Sequence, residues 1–182
     1  MSMNPNLATY RLFVPSQAVG GHLIYFDLFN AVLSDKIVVV SSVNPIVSGA
    51  LAVTGLVAVD LFLNRTSAIG TGGTAATLNG SSLTAMTISG MSSGNAAPEG
   101  VSARLTPTGG ATAGAVISWA SVFSEETNAG TYLAGLNEMV RRGMQDNACL
   151  RIAPGSGMSV VQGGVASVGN IGFDVVFQLE QR

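Results

Sequence analysis

The sequence predicts an all-β protein whose strands pair antiparallel in a sandwich or a barrel. In residues 57–64 and 173–180, apolar side chains recur at every second position, so one face of each segment would enter a core. Clusters of glycine, asparagine and proline, which suit tight turns, separate the apolar segments. Helical crossovers of the kind that join parallel strands are not indicated, so antiparallel pairing is expected.

Seven further segments are predicted as strands because they are rich in valine, isoleucine and threonine, which suit a pleated and half-buried surface. Many short strands separated by turns are typical of a sandwich or a barrel. The segments are residues 9–14, 36–43, 83–88, 101–105, 115–123, 149–152 and 158–162.

One short helix near residues 131–142 is predicted as an exception to this pattern. Its apolar residues follow helical spacing, two arginines occupy the last turn, and Gly143 suits the C-terminal cap. Gly135 weakens the helix by about 1 kcal/mol relative to alanine, and a loop across the sandwich is the alternative. The polar residues 1–8 are predicted to form a flexible N-terminal arm, and residues 9–182 a single β-sandwich domain.

The chain is poor in charge, and this limits its partners. Only 10% of its 182 residues are charged, where about 25% is usual. Eight basic and ten acidic side chains give a net charge of −2. Nucleic-acid binding needs a dense basic face, so no nucleic-acid partner is expected. No membrane partner is expected either, because the most apolar stretch, residues 46–63, contains Asp60 and fits two strands joined by a turn better.

Few side chains could carry out chemistry. The single cysteine, Cys149, excludes an intrachain disulfide, and together with the single histidine, His22, it cannot supply the four ligands of a structural zinc site. The glycine-rich segment 70–74 lacks the lysine of a phosphate-binding loop. No catalytic residue, cofactor or metal site is therefore predicted. A hydrolase that uses His22 is the third interpretation, and it would need a carboxylate beside that ring.

The low charge predicts association with other proteins. Soluble monomers usually stay dispersed through surface charge, and depletion of charge marks the core of an interface. Arginine and tryptophan are over-represented among the residues that dominate binding energy. For the tryptophan, a place in the core is the alternative. The predicted interface residues are Arg65, Arg104, Arg141, Arg142 and Trp119.

Four segments form a pattern that is similar to a known group of proteins. They are FDLFNAVLSDKIVVVSSVNPIV, DLFLNRTSAIGTGGTAATLNGSSL, AAPEGVSARLTPTGG and RIAPGSGMSVVQGGVASVGNIGFDVVFQLE. The shared features are an asparagine-bearing turn before a lysine-led strand, an Arg-Thr strand end before a Gly-Gly-Thr loop, and a Pro-Gly-x-Gly turn before the last two strands. Over most of residues 9–180 the chain resembles small virion structural proteins of tailed bacteriophages and their metagenomic relatives.

This resemblance implies an antiparallel, jelly-roll-like β-sandwich on the surface of the virion capsid. The protein would bind the capsid lattice as a decoration, cement or minor head protein. Its partners would be the major capsid protein and copies of itself, in a homo-oligomer such as a trimer. No catalytic residue is carried over. A receptor- or carbohydrate-binding module of a phage tail or fibre is the alternative, and it would expose aromatic side chains such as Trp119, Tyr132 or Tyr25.

Overall fold

The described residues of the computed structural model are 9–48, 57–76, 83–87, 90–91, 100–109, 113–124, 139–140, 150–164 and 169–182. They form twelve β-strands and no helix, which confirms the all-β prediction. In chain order the strands are β1 (Thr9–Ala18), β2 (Ile24–Asn30), β3 (Lys36–Ser48), β4 (Val57–Thr66), β5 (Thr74–Ala75), β6 (Leu83–Thr87), β7 (Gly90–Met91), β8 (Val101–Leu105), β9 (Ala113–Ser124), β10 (Leu150–Ile152), β11 (Ser156–Gln162) and β12 (Asn170–Gln181).

The strands lie in two antiparallel sheets with the strand order of a jelly roll. Sheet 1 has the order β10-β3-β12-β1-β6-β7, and sheet 2 has the order β5-β8-β2-β11-β4-β9. Four antiparallel pairs are nested in the chain order, as in one long folded hairpin: β1 with β12, β2 with β11, β3 with β10 and β4 with β9. Successive pairs belong alternately to sheet 1 and to sheet 2. Strands β5 to β8 come between β4 and β9 in the chain and extend the sheets beyond β1 and β2.

The facing sides of the two sheets form a hydrophobic core. Leu61 and Leu63 of β4 are fully buried in it, as the alternation of that segment predicts. From sheet 1, the ring of Phe173 lies 5.0 Å from that of Tyr25 and 5.6 Å from that of Phe26, measured between ring centroids. Burial of one such side chain contributes about 1.5–3 kcal/mol, so these contacts hold the sheets together.

All nine strands that the sequence predicts are confirmed, and the structure adds β2, β5 and β7. Six of the seven residues of β2 are buried, so both faces of the strand are covered and its sequence shows no alternation of apolar and polar residues. The helix predicted at 131–142 lies outside the described residues except for Met139 and Val140, which pair with Val43 of β3 in an extended bridge. The predicted arm, residues 1–8, also lies outside them.

Candidate interaction surface

The outer face of sheet 2, which points away from the core, divides into two halves. Asp27 of β2 lies on this face because both of its chain neighbours enter the core. Residues paired across strands share a face, so Arg104 of β8 and Ser159 of β11 lie beside it. Trp119 of β9 lies on the same face, opposite Phe62 of β4. We call the side of β5, β8 and β2 the covered half, and the side of β4 and β9 the open half.

The chain itself covers the first half with residues 67–73, which we call the crossing loop. The loop leaves β4 and passes over β11, β2 and β8 to reach β5 at the edge of the sheet. The Gly70 N–H donates a hydrogen bond to the carboxylate of Asp27. The guanidinium group of Arg104 donates another to the Gly72 carbonyl at 2.7 Å. Two polar side chains of the sheet thus hold the backbone of the loop.

The next part of the crossing loop pairs with the chain that follows β8. The Thr71 N–H donates to the Gly109 carbonyl at 2.6 Å, and the Thr108 N–H donates to the Thr71 carbonyl at 3.0 Å. At Gly73, φ is +60° and an added Cβ would lie 2.2 Å from the Leu105 carbonyl oxygen. Only glycine fits this left-handed position at such close approach, so the predicted turn glycines have a specific steric role here.

Asp27 is fully buried beneath the crossing loop. Burial raises the pKa of its carboxyl group to about 6, because the charged form loses its contact with water. The hydrogen bond from the Gly70 N–H and the positive charge of Arg104 oppose this shift. In the described part of the chain, no group of three or more acidic, histidine or cysteine side chains could hold a metal ion. The hydrogen bond from the Gly70 N–H gives Asp27 a structural role, because it holds the crossing loop against the sheet.

The open half and the free edge of β9 expose apolar side chains. On β9, Trp119 is 58% exposed, Val116 is 56% exposed and Ile117 is 42% exposed. Trp119 lies beside Phe62 of β4, and Phe62 lies beside Val161 of β11, so an apolar row runs from the edge of the sheet towards its centre. We call Val116, Ile117 and Trp119 the edge patch.

The strand that carries the edge patch is the last strand of sheet 2, and its sequence, AGAVISWASVFS, has no charged residue and no proline. Soluble proteins usually protect such an edge with charge, proline or β-bulges. Of these features β9 has bulges, since its register with β4 shifts between Leu63 and Asn64 and again between Asn64 and Thr66. Bulges hinder pairing with a further backbone, so the edge patch offers a partner its side chains.

The five residues predicted for an interface have different surroundings. Trp119 belongs to the edge patch. Arg65 is exposed at the end of β4 and donates a long hydrogen bond of 3.4 Å to a serine hydroxyl. Arg104 is bonded within the chain, to the crossing loop. Arg141 and Arg142 lie outside the described residues.

Other residues named from the sequence are placed as follows. Tyr25 is fully buried and its hydroxyl donates to Gln162 Oε1 at 2.8 Å, so the prediction of an exposed ring is wrong for Tyr25. Tyr132 lies outside the described residues. His22 lies in a turn with φ +60° and an added Cβ at Gly164 would lie 3.0 Å from its ring. Within the described chain, no hydrogen bond or ion pair joins His22 to a carboxylate.

Exposed apolar residues also occur where no sequence pattern marks them. Val32 and Leu33, in the turn that follows β2, are 72% and 97% exposed. Valine and leucine that follow a buried apolar segment are typical of a strand that continues. Only the position of the turn reveals that these side chains leave the core.

Comparisons with known protein families, with curated proteins and with solved structures found no match. In the part of the chain that the structure describes, no helix has the length and apolarity needed to cross a membrane. The fold and its surface therefore define the class of protein: a jelly-roll β-sandwich in which one outer face is half covered by its own chain and half exposed as apolar surface.

Proposed function

We propose that this chain is a non-enzymatic structural protein of a phage virion, which binds the capsid lattice and copies of itself at the capsid surface as a decoration, cement or minor head protein. The edge patch is the main support. Three large apolar side chains lie exposed on a strand without charge. Contact with another protein surface removes such side chains from water and is favourable by about 25 cal/mol for each Å² of apolar area buried.

The fold is compatible with this role. Jelly rolls occur in viral capsid proteins, and also in lectins and cupins; the fold alone therefore does not select a function. The low net charge of −2 adds a second argument, because many identical copies can pack closely without strong mutual repulsion. Repeated weak contacts on a lattice then add up through high local concentration.

Immunogold electron microscopy of purified phage particles whose genome encodes this chain tests the proposal. Antibodies are raised against the purified full chain, and pre-immune serum serves as the control. We expect many gold particles over the capsid surface of each labelled virion. Particles without label would overturn the proposal, and label restricted to a tail tip or fibre would overturn it in favour of a receptor-binding module.

The exposed ring of Trp119 favours that module as the second candidate, since an exposed aromatic ring can stack on a sugar. Glycan-array binding by the wild-type chain that is lost in Trp119→Ala, but kept in Phe13→Ala, would support it. Phe13 is a matched control because it is an exposed aromatic residue, 42% accessible, on sheet 1. Under the structural proposal, no glycan is retained by either variant or by the wild type.

A further inference from the structure

An apolar turn projects between β2 and β3. Residues 31–34 form a tight turn, closed by the Ser34 N–H, which donates to the Ala31 carbonyl at 3.0 Å. Its two central residues are Val32 and Leu33, which are 72% and 97% exposed. Glycine, asparagine, aspartate and proline are the usual residues of such turns, so turn geometry does not explain an apolar pair. We call Val32 and Leu33 the apolar tip.

The base of this turn is held firmly. The Ala31 N–H donates to the Gly100 carbonyl at 2.7 Å. The side-chain amide of Asn30 donates to the carbonyl groups of Lys36 and Ile152 at 2.8 and 3.1 Å. Because these bonds hold the backbone of the turn in the free protein, a partner would bind the apolar tip with little further loss of backbone entropy.

A pocket of about 180 Å³ lies close to the apolar tip, on the other side of the turn between β10 and β11. In that turn, an added Cβ at Gly155 would lie 3.5 Å from the side chain of Val32. Ala153, two residues earlier, lines the pocket. The tip and the pocket therefore lie at the same end of the sandwich.

The pocket combines apolar walls with a positive charge. Ile117 of the edge patch, Leu150 and Ile152 supply apolar surface. Two arginines also line the pocket. Arg151 is paired with Glu180 at 2.6 Å. Arg65 forms no ion pair in the described part of the chain, only the long hydrogen bond to a serine hydroxyl. A guanidinium group of this kind can form a bidentate pair with a carboxylate. The pocket thus suits a ligand with an apolar side chain next to an acidic one.

We propose that this pocket binds the apolar tip of a second copy of the chain, with Leu33 in the pocket and the Asp35 carboxylate against Arg65. The inference rests on the self-association in the proposed function. A cavity of about 150 Å³ accommodates benzene, so 180 Å³ is sufficient for a leucine side chain. The carboxylate of Asp35 is 73% exposed and lies two residues after Leu33. Within the chain its Oδ1 lies 3.7 Å from Lys36 Nζ, and in the complex it would exchange this long, exposed ion pair for Arg65.

The complementarity explains why the occupant is a second copy. One end of each copy carries both an apolar tip with an adjacent acid and an apolar pocket with an arginine, so the tip of one copy can occupy the pocket of another. Contacts of this type generate closed rings or reciprocal dimers, depending on the rotation between the copies.

Sedimentation velocity over a concentration series tests the inference. The tip variant is Leu33→Asp, the pocket variant is Arg65→Glu, and Phe13→Asp on sheet 1 is the control. We expect each of the first two variants to weaken self-association at least about tenfold, while the control matches wild type. An equimolar mixture of the tip and pocket variants should form dimers again, because the intact tip of one fits the intact pocket of the other.

A charge exchange provides the second measurement. Asp35→Arg combined with Arg65→Glu should associate more strongly than either single variant. A wild-type chain that stays monomeric, a Leu33→Asp variant that assembles like wild type, or a mixture that stays monomeric would each overturn the inference. If capsids carry gold label but Leu33→Asp assembles like wild type, the further inference is wrong and the proposed function stands. If dimers depend on the tip but virions carry no label, the proposed function is wrong and the inference about the tip stands.

Discussion

The two halves of the outer face of sheet 2 belong to one sheet but differ in what covers them. In the covered half, the side chains of Asp27 and Arg104 bond to the backbone of the crossing loop. In the open half, Trp119 and its apolar neighbours meet solvent. The difference arises because the chain leaves β4 towards β8 and thus covers only that side. Changes in the covered half should therefore alter the free energy of unfolding, and changes in the open half should alter association.

The largest effect is expected at Gly73 in the covered half. Gly73→Ala should lower the free energy of unfolding by about 2–4 kcal/mol, because its Cβ would meet two carbonyl oxygens at a left-handed position. Gly109→Ala is the control, since its Cβ would meet only Thr71 Oγ1, at 3.8 Å. Urea denaturation of both variants is the measurement. Equal losses for the two would contradict the steric role of Gly73.

The second effect depends on pH. The folded state holds the Asp27 proton more tightly than the unfolded state, so the stability that this proton provides is full below about pH 4 and is lost as pH rises through about 6. Asp27→Asn removes this titration. Its stability relative to wild type should therefore rise by about 1–3 kcal/mol between pH 4 and pH 7. Urea denaturation at a series of pH values measures the difference, and parallel profiles would refute it.

A smaller loss is expected for Arg104, which holds the crossing loop from the sheet. Arg104→Ala should lower the free energy of unfolding by about 1–2 kcal/mol, because the charged hydrogen bond to the Gly72 carbonyl is lost. The loss should be larger at pH 7 than at pH 4, since Arg104 also favours the charged form of Asp27. Arg104→Lys keeps the positive charge beside Asp27, so its loss of stability relative to wild type should be about equal at the two pH values, although the full hydrogen bond to the loop is not restored. Denaturation of both variants at the two pH values provides the check.

The smallest effect on folding, and a clear effect on association, is expected in the open half. Trp119→Ser should change the free energy of unfolding by no more than about 0.5 kcal/mol, because the ring is exposed. The same variant should raise the dissociation constant for self-association, measured by sedimentation. Phe13→Ser on the other sheet is the matched control. A large loss of stability in Trp119→Ser would place the ring in the folding core and erase the distinction between the halves.

Local pattern explains which strands could be predicted. In β4 and β12 one face enters the core and the other does not, so the alternation of side chains reveals both strands. In β2 the core covers one face and the crossing loop covers the other, so the alternation disappears. The contacts responsible join Asp27 and Arg104 to residues 43 and 32 positions away in the chain. A sequence pattern read over about ten residues cannot include contacts between residues so far apart in the chain.

The candidate surface shows the same division. Trp119 could be chosen from its residue type, but its exposure follows from the place of β9 as the last strand of sheet 2. Arg104 has the same chemistry as Arg65, yet the crossing loop engages the first and leaves the second exposed. Residue type indicates which side chains are able to bind a partner. Neighbours from distant parts of the chain determine which of them remain accessible.

By itself the sequence determined the all-β class, most of the strands, the positions of turns and the scarcity of charge, because these depend on the backbone preferences of a few adjacent residues. The tertiary structure alone decided which strand lies at the edge, which half of a sheet is covered and which apolar residues reach solvent. These properties depend on how strands far apart in the chain are brought together. Hydrophobic burial stabilises that arrangement only when the whole sandwich has formed.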